Sequence, residues 1–346
     1  MWPGGSKLPE DTDSVILEVV RVLSNFLGRG DGAHSPVPIE YRKARPDEVP
    51  SALAIILGSG GVPAGDPQVT DFLQLAAQRD IDVREVWVAT AHGRPLWAIL
   101  PILSPGHTAM LFTPGPRPEV LDLGPLVEAV CQSVTGHGAV LAQILADPTD
   151  HAARARFAEL GFREMAELLY LHCGPGRDMA PIALPENFRW QTYSPQTHEL
   201  FERAILESYQ QSLDCPALNG VREIGDVIAA HKASGEFDPR FWFVLIERDE
   251  PRGVLLLSRV PRTDTAELVY LGLVPQVRGR GIGDLLMRQA LLTVLEMSLA
   301  RLTLAVDSKN SPALQLYFRH GMQRIGSKVA MMRDLRVLST PAPHVP

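Results

Sequence analysis

Residues 274–284 read Val-Pro-Gln-Val-Arg-Gly-Arg-Gly-Ile-Gly-Asp, three glycines spaced two apart with arginines at 278 and 280. They follow an apolar run, 266–273, that has the character of a buried strand. They lead into 285–295, whose length and apolar spacing predict a helix. A strand, a tight turn and a helix start make an anion site, because the first helical turn has unpaired N–H groups and a dipole that favours negative charge. Gly279, Gly281 and Gly283 let the backbone fold closely round a phosphate where a Cβ would obstruct it. Arg278 and Arg280 add positive charge. The chemistry suited to this segment is the holding of a pyrophosphate.

The spacing excludes two common phosphate loops. No Gly-Lys-Ser/Thr follows, and the glycines do not fall as Gly-x-Gly-x-x-Gly. Downstream lie a β-rich run at 302–306, then Asp307-Ser-Lys-Asn310, Ser311-Pro-Ala313, Leu316-Tyr317 and Gly321-Met322. Ser311 and Pro312 suit a helix start. Together, Arg278-Gly-Arg-Gly281-Ile-Gly283 and the Asn310, Ala313, Leu316-Tyr317 series resemble the two signatures of the GNAT superfamily of N-acetyltransferases, over residues 240–335, with Met322 where the family usually has Phe. The resemblance implies that Arg278, Gly279, Arg280, Gly281, Ile282 and Gly283 bind acetyl-CoA, with Asn310 and Ala313 nearby. It also implies that Leu273 and Val274 serve as backbone ligands for pantetheine at the end of a splayed strand, where Gly272 suits a bulge or a close approach.

Acetyl transfer to an amine requires that a proton leave the amine and that one reach the departing thiolate. Tyr317 stands where the family often has a general acid, and a phenol can serve in that role. Glu267 stands where some members carry a catalytic base, with Asp264 and Tyr270 in reserve. Asn310 can bond pantetheine or cap the next helix. The loop 212–220 is expected to meet the acceptor, with Asp214 facing a cationic amine and Cys215 as a thiol beside it. His198 and His231 are expected at the surface or at helix ends.

The elements that position these residues form two similar series. With 346 residues and 45% hydrophobic content the chain can build two full cores. Strands, helices and turns over 37–173 recur in the same order over 188–336, which indicates duplication. The expected fold is mixed α/β: two tandem GNAT-like domains, each a twisted, mostly antiparallel sheet flanked by helices. The divisions are a helical leader (1–36), a degenerate domain (37–173), a Pro/Gly-rich linker (174–187), a catalytic domain (188–336) and a tail (337–346). Placing Gly161-Phe162 on Gly321-Met322 puts Phe157 at Tyr317, Ala153 at Ala313 and Asp150 at Asn310. The counterpart of the phosphate loop, 112–119, holds three prolines that lack N–H donors and ends on Glu119. The first half is therefore expected to be structural, or to wall off the acceptor pocket. The tandem arrangement resembles that of mycothiol synthases, at the level of architecture alone.

A net charge of −7 argues against broad binding to nucleic acid or anionic membrane. No membrane span, secretory signal or metal spacing is evident, and Cys131, Cys173 and Cys215 fit a reducing cytoplasm. The expected partners are acetyl-CoA and a primary amine on a small molecule or protein, with no metal. The leader and the duplication are compatible with a homo-oligomer. The alternative is an acyl-CoA-binding or partner-interaction module without turnover.

Overall fold

The computed structural model describes residues 39–58, 66–78, 81–115, 121–176, 179–180, 182–216 and 220–336. The expected helical leader (1–36), the tail, and Pro116, Pro118 and Glu119 of the degenerate loop lie outside them.

The first half runs β1 (Glu40–Lys43), α1 (Val49–Ile56), α2 (Pro67–Gln78), β2 (Trp87–Ala91), β3 (Arg94–Ser104), β4 (Thr108–Phe112), α3 (Gly124–Gly136), β5 (Leu141–Ala146), α4 (His151–Glu159) and β6 (Arg163–Cys173). The second runs β7 (Phe188–Thr192), α5 (His198–Tyr209), α6 (Ile224–Ala233), β8 (Trp242–Glu247), β9 (Glu250–Arg259), β10 (Thr265–Leu273), α7 (Ile282–Glu296), β11 (Arg301–Asp307), α8 (Ser311–Arg319) and β12 (Gln323–Asp334). The repeated order is the one the apolar periods predict.

All these strands join one twelve-stranded sheet, ordered β1-β2-β3-β4-β5-β12-β6-β11-β10-β9-β8-β7. The centre of that order departs from two self-contained sheets. Strand β6 pairs with β11 of the second half, and β12 pairs with β5 of the first. The halves have exchanged their last strands. Alternation along each strand then sends side chains into the other half's core. Leu171 and Cys173 of β6 pack with residues of α7 and α8, while Val329 and Met331 of β12 pack with residues of α3 and α4. Each large apolar side chain so buried contributes roughly 1.5–3 kcal/mol.

Helices α3, α4, α7 and α8 cover one face of the sheet, and α1, α2, α5 and α6 cover the other. Helix α7 buries Ile282, Leu286, Met287, Ala290, Leu291 and Val294, a helical stripe aimed at the sheet. Among the described residues no helix is long and apolar enough to cross a membrane.

Two neighbouring pairs run parallel, β4 with β5 and β10 with β11, and both part early. Pairing of β10 with β11 covers only Thr265, Ala266 and Glu267. Among the described residues, the inner edge of β10 has no partner strand from Leu268 onward, so its backbone polar groups face a gap.

Candidate functional site

The gap between β10 and β11 opens into a cleft of about 730 Å³. Residues 268–273 and 304–306 form its walls, the glycine loop and Asp284 its mouth, and Asn310, Ala313 and Tyr317 of the following turn and helix its side. Gly279 and Gly281 have φ of +72° and +77°, a backbone state that side chains resist. Gly281 is the N-cap of α7, and a Cβ built on it would meet nothing within 4 Å. The loop is therefore open, with the unpaired N–H groups of a helix start beside it. Ile282 is buried, so it can offer only its backbone there.

The two arginines do different work from that expected of a pair of free cations. The Arg278 guanidinium donates to three backbone carbonyls: from Nε to Leu273 (3.0 Å), from Nη1 to Gln211 (3.1 Å) and from Nη2 to Ser208 (2.8 Å). It ties the end of α5 to the end of β10 at the cleft rim. Arg280 is half exposed and reaches Glu247 at 3.4 Å, a carboxylate that also holds Arg252 at 3.1 Å.

Strand β10 bulges at Val269, where its register against β9 shifts, and not at Gly272. Gly272 is instead a close approach, since a Cβ there would lie 2.5 Å from Ser208 Oγ. Ser208 donates to Ile205 O at 2.7 Å and lies 2.8 Å from the Tyr270 hydroxyl, so Tyr270 is the donor of that second bond. Leu273 lines the cleft, but Val274 is buried with both backbone groups in use: its N–H donates to Arg252 O, and its carbonyl accepts from Val277 N. The open backbone groups lie earlier on the strand than Val274.

Asn310 caps α8, its side chain accepting from Ala313 N at 3.4 Å. Asp214 reaches the cleft, turned toward the β11–α8 turn. Its Oδ1 accepts from Asp307 N at 3.3 Å, and Asp307 Oδ2 accepts from Cys215 N at 3.2 Å. This reciprocal clasp pins the loop after α5. Burial first, then the Asp307 charge, pushes the Asp214 carboxyl above its ordinary range. The Cys215 thiol is pushed up to about 12 by burial and by the Asp214 and Asp307 charges, so it stays protonated and unreactive.

Tyr317 lines the cleft and is 7% exposed. Burial, with Asp214 adding to it, raises its phenol well above the ordinary range. Glu267 is the last residue of β10 paired to β11, between Ser258 and Thr303 in register. Its neighbours Ala266 and Leu268 join the core under α7 and α8, so Glu267 faces the opposite side of the sheet. The two candidate groups thus approach the gap from opposite faces.

His231 differs from the surface or capping histidine expected. Its ring stacks on Tyr270 at 5.6 Å and 20°, its Nε2 is buried with no hydrogen-bond partner among the described residues, and burial lowers its pKa to about 4. His198 sits at the start of α5 beside the Tyr193 hydroxyl, 3.0 Å away. Ser208, Ala305 and Arg319 escaped the reading of the sequence, and Asp307 entered it only as part of a motif. Ser208 and Ala305 leave no motif, and each matters through what packs beside it.

Comparison with known proteins agrees with this geometry. The model of the acetyltransferase (GNAT) family matches residues 196–322. The chain is 29% identical over 210 residues to a mycothiol acetyltransferase of Beutenbergia cavernae, covering 54% of this chain and 67% of that one. It is 29% identical over 188 residues to a mycothiol acetyltransferase of Gordonia bronchialis, covering 52% of this chain and 59% of that one. A crystal structure of a GCN5-related N-acetyltransferase from Sphaerobacter thermophilus superposes with a TM-score of 0.56 at 19% identity, over 87% of this chain and 97% of that one. The loop, the parted strands and the capped α8 lie together in one cleft within residues 196–322, the stretch that matches the acetyltransferase (GNAT) family, and the Sphaerobacter protein shares the fold.

Proposed function

We propose that this acyltransferase moves an acetyl group from acetyl-CoA directly to a primary amine, in the second half alone. The observation that carries this reading is the cleft itself: parted strands, an open helix start at the mouth and a phenol inside. The amine nitrogen attacks the thioester carbonyl carbon and the carbon–sulfur bond breaks. N–H groups on the free edge of β10 stabilise the developing oxyanion. The amine proton passes to Glu267, directly or through water, and Tyr317 gives a proton to the thiolate. Cys215, with its raised pKa, fits direct transfer without an acyl-enzyme. The acceptor of the mycothiol acetyltransferases belongs in the amine screen alongside other small-molecule and protein amines.

The first half is read as structural. There β4 and β5 also part, but Gly115 lies against the start of α4, where an added Cβ would sit 3.0 Å from that of Ala153 and 3.1 Å from Asp150. Backbone thus occupies the place of the second half's cleft. Calorimetric titration of acetyl-CoA tests both halves. One site per chain, lost in Gly281→Glu because a carboxylate then fills the anion site, is the expected result. Two sites per chain would overturn the silent first half, and no binding to the wild type would overturn the donor assignment.

A further inference from the structure

Helix α6 has little that fixes it from within. Among the described residues only Val227 and Ile228 of the helix are fully buried, and its N-cap, Glu223, makes no side-chain capping bond. Elements of the first half's core hold it from outside. The turn between β3 and β4 reaches α6 through Gly106, where an added Cβ would lie 2.3 Å from Asp226 O and 3.2 Å from the Ala230 Cβ. Beside it, His107 Nδ1 lies 2.9 Å from Asp226 Oδ1, and since a carboxylate only accepts, the ring nitrogen donates. The turn is itself tied down at the start of β5, where Val140 N–H donates to His107 O at 2.8 Å. The Val140 carbonyl accepts from Leu335 N at 2.9 Å, just past β12, and the next residue, Arg336, donates from Nη1 to Val221 O at 3.4 Å. Val140 thus anchors two arms, one on the start of α6 and one on the chain entering it.

Asp226 and Ala230 are four apart and share one face of α6, while Val227 and His231 share the face next to it. The first face takes the turn. The second meets the sheet, where His231 stacks on Tyr270 of the cleft wall at 5.6 Å and 20°. We propose that Gly106 and His107 are positioning residues: they set the seat of α6 and, through His231, the place of Tyr270 in the cleft, so that the first half shapes the acceptor side of the second half's site. The inference rests on reading this cleft as the transfer site and its α5–α6 side as the acceptor's. At Gly106 backbone meets backbone, and both its φ of +85° and the 2.3 Å separation exclude a side chain. The His107 side chain is 57% exposed, so its bond to Asp226 directs the helix more than it stabilises the fold.

Fluorine NMR of the full chain labelled with 3-fluorotyrosine reads the place of Tyr270 without a known acceptor. The chain has six tyrosines, and the resonance lost in Tyr270→Phe is that of Tyr270. Gly106→Ala pushes α6 away and is expected to shift this resonance, leaving that of Tyr41 in the first half unmoved. Gly93→Ala is the control. Gly93 also has a positive φ, +73°, but an added Cβ there meets nothing within 4 Å, so the variant carries the backbone strain without the displacement and should leave Tyr270 in place. His107→Gly removes the bond to Asp226 without strain at φ +56°, and gives a second reading if Gly106→Ala folds poorly. It should shift the same resonance, and His107→Asn, which keeps a side-chain donor and tolerates positive φ, should restore it. In Gly106→Ala acetyl-CoA affinity should stay within about twofold, while kcat/KM for the amine identified by the screen falls on the order of 10²-fold. An unmoved Tyr270 resonance in Gly106→Ala and His107→Gly, or an equal shift in Gly93→Ala, overturns the positioning role. A shifted resonance with wild-type kcat/KM overturns the hold on the acceptor side. No acetyl-CoA binding by the wild type would overturn the transfer reading, and the acceptor role with it, while the resonance still reports the seat of α6.

Discussion

Tyr317 lies within the cleft, its ring all but buried, and the two influences on its phenol act in the same direction. Burial opposes ionisation, and the nearby Asp214 charge opposes it further. The phenol is thus a proton donor at every physiological pH, which is the state a general acid needs before the thiolate departs. Tyr317→Phe keeps the ring and removes the proton. Turnover should fall on the order of 10²-fold while acetyl-CoA affinity stays within a factor of two or so. Unchanged turnover would remove Tyr317 from the proton path. This residue was legible because the series Asn310, Ala313, Leu316-Tyr317 resembles a signature of the GNAT family, which often has a Tyr at that place. Arg278 was legible only as a charge. That its guanidinium spans Leu273, Gln211 and Ser208 depends on α5 lying against β10, which nothing within the loop itself announces.

At the scale of elements, α6 forms the outer support of the cleft wall. His231 on α6 stacks on Tyr270, and Tyr270 bonds Ser208 on α5. The enclosed His231 ring titrates near 4 in the folded chain, against an ordinary value of 6.5. Between those values the unfolded chain binds the additional proton, so stability is full above pH 6.5 and falls as the pH drops toward 4. The expected loss is about 3 kcal/mol. His231→Phe keeps the stacked ring and leaves no orphaned nitrogen, so its melting temperature should lack this acid slope. The same slope in the variant would mean that other groups set it. Element order and type could be read from apolar period and turn residues. The bulge at Val269 could not, because it follows from how β10 fits β9 as it parts from β11. His231 was misplaced for a similar reason, since its burial depends on what α6 rests against.

The whole molecule is joined more deeply than a linker between two domains would require. The alternating apolar residues of β6 and β12 suit any neighbouring strand, so the pattern predicts two strands without saying which core each one closes. In the structure Leu171 and Cys173 complete the second half's core, and Val329 and Met331 complete the first. Residues 188–336 alone would leave the outer edge of β11 without β6 from Leu302 to Asp307, and would give β12 no β5 to join. An unpaired, apolar edge strand promotes association with other chains. Expressed alone, this half should therefore be poorly soluble or aggregate by size-exclusion chromatography. Co-expression with residues 1–187 should recover a one-to-one complex that binds acetyl-CoA. The competing outcome is equally specific. If 188–336 is a folded monomer with the acetyl-CoA affinity of the full chain, β12 has taken the place of β6 beside β11. The donor site would then need nothing from the first half.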